Sequence, residues 1–177
     1  MDKILIVVDM QNDFVDGALG TKEAAEMLDR AAEVIAQFDG KILVTMDTHE
    51  QNYLETAEGK KLPVPHCIHR TKGWQLHDKI HQALEGKDYE IIQKGTFGSV
   101  ELVSVLGKML EEKKESEVKL IGLCTDICVV SNALLLKAHF PDLNIYVDAD
   151  CCAGVTPATH LAALETMKMC QIDVLNA

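Results

Sequence analysis

Apolar positions along the chain fall into two alternating patterns. Ile4–Val8 is an unbroken Ile-Leu-Ile-Val-Val run closed by Asp9, the pattern of a parallel strand buried on both faces. Thr21–Phe38 instead carries Ala, Met, Leu, Val and Ile at helical spacing and stops at Asp39-Gly40, which predicts a helix. The alternation continues to the C-terminus. Strands are predicted at Lys41–Met46, at Tyr89–Gln93, in the apolar run that starts at Lys119, at Asn144–Val147 and at Ile172–Leu175. Helices are predicted at about Gln75–Leu84, at Ser99–Glu112, at Ile127–His139 ahead of Pro141, and at Thr156–Met169, where Thr156 caps and Pro157 takes the first position. Strands that alternate with helices predict an α/β fold: one doubly wound, Rossmann-like, mainly parallel six-stranded sheet with helices on both faces and right-handed crossovers.

Two stretches lack either period. Met10–Gly20, with Asp13, Asp16, Gly17 and Gly20, reads as a loop. Glu50–Lys72 holds Gly59, Pro63, Pro65, His66, Cys67 and His69, and loops this long inside a compact domain are most often functional.

Composition narrows the classes. A chain of 177 residues with 47% hydrophobic content buries one good core, so residues 1–177 are read as one domain. The net charge of −11 and scattered lysines argue against a nucleic-acid partner. The mixed-sign run Glu111–Glu117 reads as solvated surface. No apolar segment approaches the roughly 20 residues of a membrane helix, so no membrane partner is expected. The six cysteines are irregularly spaced and the opening Met-Asp-Lys-Ile lacks a secretory pattern, which sets the expectation of a reducing, cytoplasmic location.

In doubly wound sheets ligands bind beyond the carboxyl ends of the strands. The polar residues that directly follow apolar runs are therefore the candidates: Asp9, Asp47, His49, Lys94, Thr125, Asp126 and Cys128. Cys128 follows a strand-to-helix break, and a thiol at a helix N-terminus has its thiolate favoured. A carboxylate beside it accepts the thiol proton and returns it to a leaving group, and an ammonium between them makes both charged forms tolerable. Backbone N–H groups of Cys124 and Cys128 then offer an oxyanion hole. Taken singly, Asp9 caps a turn, Lys94 lies on the surface and Cys128 packs. Asp47, His49 and His66 offer one oxygen and two imidazoles, a set that suits zinc first, with iron or manganese as alternatives.

Five segments in order carry a resemblance: Val7-Val8-Asp9-Met10-Gln11-Asn12-Asp13-Phe14, Asp47-Thr48-His49, Pro65-His66-Cys67, Lys94, and Gly122-Leu123-Cys124-Thr125-Asp126-Ile127-Cys128-Val129. Together they resemble the nicotinamidase/isochorismatase-like cysteine hydrolases over nearly the whole chain. The resemblance implies that Asp9, Lys94 and Cys128 form a catalytic triad and that a cis peptide joins Leu123 to Cys124. It implies a divalent metal on Asp47, His49 and His66, with Glu58 as the further ligand and Glu55 as its alternative, and no nucleotide cofactor. His69 remains either a supporting residue or a solvated one. Phe14 matches the aromatic that lines the substrate pocket, whereas Trp74 does not occupy the position of the ring-stacking tryptophan and is read as packing. The implied activity is hydrolysis of a small carboxamide, nicotinamide to nicotinate and ammonia first, through a thioester. Alternatives are another amide, a ureido compound, an isochorismate-type vinyl ether, a non-catalytic binding module, or a redox pair of Cys124 and Cys128. A homo-oligomer, dimer or tetramer, is the implied assembly.

Overall fold

The computed structural model describes residues 2–111 and 116–177, so the predicted helix end at Glu112 and most of the run Glu111–Glu117 lie outside the described residues. Six strands, β1 (Asp2–Val8), β2 (Lys41–Asp47), β3 (Tyr89–Lys94), β4 (Ser116–Leu123), β5 (Asn144–Ala153) and β6 (Asp173–Leu175), form one sheet in the order β3-β2-β1-β4-β5-β6. All five pairings are parallel. The order reverses between β1 and β4, which opens a crevice at their carboxyl ends.

Alternation along β1 explains the two faces. Leu5 and Val7 point into a core with α2 (Lys22–Gln37) and α4 (Asp78–Ala83), through Met27, Leu28, Ala31, Ile35 and Ile80. Ile4, Ile6 and Val8 point the other way, against α5 (Val100–Glu111), α6 (Val130–His139) and α7 (Pro157–Met169), through Leu102, Leu106, Ala133, Leu136, Leu164 and Met167. A strand covered on both sides has no polar face, which is why β1 reads as a continuous apolar run.

The elements depart from the sequence pattern where polar residues are buried or helices are very short. β5 runs on past Val147 to Ala153 because the buried Asp148 is satisfied by the Asn176 amide at 2.8 Å, with Lys119 at 3.8 Å. The first loop holds a single helical turn, α1 (Asn12–Val15), and the long loop holds a 3₁₀ turn at Tyr53–Glu55 and the short helix α3 (Ala57–Lys61). Among the described residues no helix is long and apolar enough to cross a membrane.

Gly122 sets the approach of β4 to β1. Its φ is +123° and a Cβ there would fall 2.1 Å from the Val8 carbonyl oxygen, a position only glycine tolerates. The register shift between Leu120 and Gly122 on the β5 side of β4 falls at the same place. Both strands therefore end side by side, one in Asp9 and the other in the turn that carries Cys128.

Candidate active site

Four neighbouring strand ends deliver the charged groups. Asp9 follows β1, Asp47 closes β2, Lys94 closes β3 opposite Asp47, and Cys128 lies just beyond β4. The Lys94 ammonium, 2% exposed, lies 2.6 Å from Asp9 Oδ2, 3.3 Å from Asp47 Oδ1 and 3.4 Å from the Cys128 sulfur. One buried cation thus touches two carboxylates and the thiol. Asp9 is fully buried, and the Thr45 hydroxyl donates to its Oδ1 at 2.7 Å. Its Oδ2 is in ion-pair contact with Lys94 without the alignment of a hydrogen bond, and between buried groups at this distance Coulombic attraction is what counts. Asp9 also sits at φ +49°, an uncommon conformation for a residue with a side chain and one that clusters at functional sites.

Burial pushes the Asp9 carboxyl above its usual value, against the pull of Lys94. Burial also raises the Cys128 thiol well above its ordinary value, and the Asp9 charge adds to that while Lys94 opposes it. Burial and the Asp9 charge thus favour the protonated thiol, while the Lys94 ammonium favours the thiolate. Desolvation opposes the thiolate expected at a helix N-terminus. The local structure differs too. Cys128 lies in a single π-helical turn, Thr125–Val129, ahead of α6, and such turns are frequent at functional sites. The Leu123–Cys124 peptide is cis. Lys94 is raised, chiefly through its carboxylate and thiol neighbours overcoming burial, so it stays an ammonium.

Beside this cluster Asp47, His49 and His66 converge, their ligand atoms all within 4.8 Å of one another. His49 Nε2 lies 3.0 Å and His66 Nε2 3.5 Å from Asp47 Oδ2. Glu58 Oε1 faces both imidazoles, at 3.7 Å from His49 Nε2 and 3.6 Å from His66 Nε2, whereas Glu55 is exposed in the 3₁₀ turn. His66 turns Nε2 inward because its Nδ1 bonds the Val64 carbonyl at 2.8 Å, the arrangement that orients a ligating histidine. The Asp47 carboxyl is held far below its usual range by hydrogen bonds to His49 and His66 and by Lys94, against the opposing effect of burial. One anionic oxygen, two imidazole nitrogens and a second carboxylate are a donor set that fits a divalent cation.

Phe14, Asp47, His49, Glu58, His66, Cys124 and Cys128 all line one cavity of about 660 Å³, with Leu19, Leu62, Phe97 and Ile127 among its apolar walls. Trp74 is not in that wall: its indole donates to the Thr48 hydroxyl at 2.9 Å and its ring meets His69, so it packs the loop as expected. His69 stands outside the metal-type cluster, with Glu50 at 3.9 Å.

Several supporting residues were not visible in the pattern. Gln11, fully buried, accepts from the Asp47 N–H at 2.7 Å and donates to the Asp47 carbonyl at 2.8 Å and the Trp74 carbonyl at 2.7 Å. Tyr53 lays its ring 4.7 Å from that of His49 and 5.0 Å from that of His66. Asn132 accepts from the Ser99 N–H and donates to the Phe97 and Cys128 carbonyls, tying the loop after Lys94 to the cysteine turn. For Thr45 and Asn132 the only signal is a polar residue within or beside an apolar run, whereas Gln11 also lies in the Val7–Phe14 segment that carries the family resemblance.

A profile of the isochorismatase domain matches residues 3–177. The chain belongs to the isochorismatase family. Among family relatives, the nicotinamidase/pyrazinamidase of Mycobacterium tuberculosis is 28% identical over 184 residues, which cover 98% of each chain. The crystal structure of a Bacillus subtilis nicotinamidase/pyrazinamidase superposes with a TM-score of 0.84 at 26% identity, covering 99% of this chain and 100% of that one. The pyrazinamidase of Pyrococcus horikoshii, solved in complex with zinc, gives 0.81 at 26% identity over the whole of both chains. This isochorismatase-family chain thus has the fold predicted from its strand and helix pattern, with all six strands parallel.

Proposed function

We propose that the protein is a cysteine hydrolase of small carboxamides that converts nicotinamide to nicotinate and ammonia. The observation that carries this reading is the contact of one buried ammonium, Lys94, with both Asp9 and Cys128, the latter lining the cavity. Similarity to nicotinamidases over the full chain length supports the substrate.

In this reaction the Cys128 thiol gives its proton to Asp9 and the sulfur attacks the carboxamide carbon. The carbonyl electron pair moves onto oxygen, where the N–H groups of Cys124 and Cys128 receive it. Collapse of that intermediate breaks the C–N bond, Asp9 returns the proton to nitrogen, and ammonia leaves a thioester. Water then adds to the thioester with Asp9 again as base, and the acid departs as the thiol is restored. Lys94 stays charged throughout and offsets the negative charge that passes between Asp9 and sulfur. Asp47, His49 and His66, with Glu58, would hold a divalent ion, zinc first among the candidates, which supplies a Lewis-acid anchor for a ring nitrogen of the substrate. Phe14 forms an apolar wall behind it, 5.4 Å from the His66 ring.

Ammonia release from nicotinamide is the direct test. Wild-type protein with its metal should turn over, Cys128→Ala should not while keeping its fold, and retained amidase activity in that variant would sink the mechanism. A cavity of about 660 Å³ lies in the range that takes drug-sized ligands, so bulkier amides and ureido compounds belong in the same assay.

A further inference from the structure

The turn that bears Cys124 and Cys128 is clamped by the connection between β5 and α7 and by the first turn of α7. The fully buried Thr125 hydroxyl is paired with His160 Nδ1 at 2.8 Å. One residue on, both oxygens of the Asp126 carboxylate accept from the Val155 N–H at 3.1 Å. His160 is itself fixed. Thr156 and Thr159 cap the start of α7 reciprocally, the His160 N–H bonds the Thr156 carbonyl at 3.0 Å, and buried Gly154 packs so closely that a Cβ there would lie 2.9 Å from His160 Cβ. His160 does not line the cavity, whereas Cys124, Ile127 and Cys128 do.

From this juxtaposition we infer that His160 is a positioning residue for the oxyanion-binding turn, acting through Thr125 on the backbone that presents the Cys124 and Cys128 N–H groups. The inference rests on the amidase reading only for the identity of the oxyanion. A helix docked on the turn through a side chain outside the cavity holds it, so the hydrogen-bond donors are in place before substrate arrives. Small displacements of such donors are costly to the chemical step and not to ground-state binding.

The test compares His160→Ala, His160→Asn, Thr125→Val and the His160→Ala/Thr125→Val double variant. With nicotinamide, His160→Ala and Thr125→Val should each lower kcat about 10- to 100-fold with KM within about twofold. The double variant should be no worse than either single one, since both remove the same bond. His160→Asn, whose amide can stand where Nδ1 stands, should recover most of kcat.

An independent arm uses pyridine-3-carboxaldehyde against nicotinate as competing ligands. The Cys128 sulfur adds to the aldehyde carbon, its proton passes to Asp9, and the carbonyl pair becomes an oxyanion in the same hole, whereas the acid binds without that addition. His160→Ala should weaken the aldehyde about tenfold and leave nicotinate unchanged. Equal weakening of both ligands, an unchanged kcat, or additive losses in the double variant would each overturn the inference. Absence of ammonia release by the wild type would overturn the amidase reading instead, and the aldehyde-to-acid ratio still decides the role of His160.

Discussion

The Thr45 hydroxyl donates to Asp9 Oδ1 at 2.7 Å, across the β1–β2 pair at the end of the strand that delivers the carboxylate. This bond lowers the Asp9 pKa, which burial raises. Asp9 acts as base only when ionised, so activity should rise with pH through an acid limb set above the usual carboxylate range. Thr45→Val removes a stabilising donor from the ionised form and should move that limb to still higher pH, with activity on its alkaline side largely kept. The kcat/KM–pH profile of the two proteins checks the sign; a limb shifted downward contradicts the assignment of Asp9 as base.

Lys94 balances the buried Asp9 and Asp47 carboxylates. Lys94→Met should abolish turnover and cost about 3–5 kcal/mol of stability, because two buried carboxylates lose their counter-charge. The Asp9→Asn/Lys94→Met double variant should regain part of that stability and none of the activity. Urea unfolding of the three proteins measures the coupling.

Metal content should depend on the residues around Asp47. His66→Ala should reduce bound metal to well below one equivalent, while Glu58→Gln, which keeps the two imidazoles, Asp47 and a neutral oxygen donor, should weaken affinity by about 10- to 100-fold. Removal of the ion with a chelator should lower Tm, since an ion bound only by the folded state stabilises it by mass action. Elemental analysis of the purified variants, paired with melting curves, separates these outcomes.

Gly122→Ala should be among the most damaging single-methyl changes in the chain. The added Cβ meets the Val8 carbonyl oxygen at 2.1 Å and the backbone stands at φ +123°, so a loss of about 2–4 kcal/mol is expected from strain together with displacement of β4. Activity should fall further than stability, because the same displacement separates Cys128 from Asp9. Chemical denaturation and kcat on the folded fraction provide the two readouts.

The stretch from Lys119 to Val130 shows how far residue order reaches. Its apolar run, its break at Thr125-Asp126 and its resumption as Ile127 onward are local properties, and so the strand, the turn and the position of Cys128 beyond it were legible without coordinates. The same holds for Asp9, Asp47 and Lys94, each a charged residue closing or directly following a strand that reads as apolar or helix-flanked. A parallel sheet places all such residues on one edge, so their convergence follows from topology alone.

What the sequence could not determine was the environment of those groups and the identity of the residues behind them. Whether Cys128 rests as thiol or thiolate depends on how completely it is desolvated and on the distance to Asp9, both products of packing between β1 and β4. Gln11, Thr45, Asn132 and His160 are polar residues with no spacing of their own, and they acquire roles only because distant segments meet: Gln11 bonds Asp47, 36 positions away, and His160 bonds Thr125, 35 positions away. Local patterning is written in one dimension by the hydrophobic period. Electrostatics and hydrogen-bond partnership are set by three-dimensional proximity and burial, and the tertiary structure alone decides them.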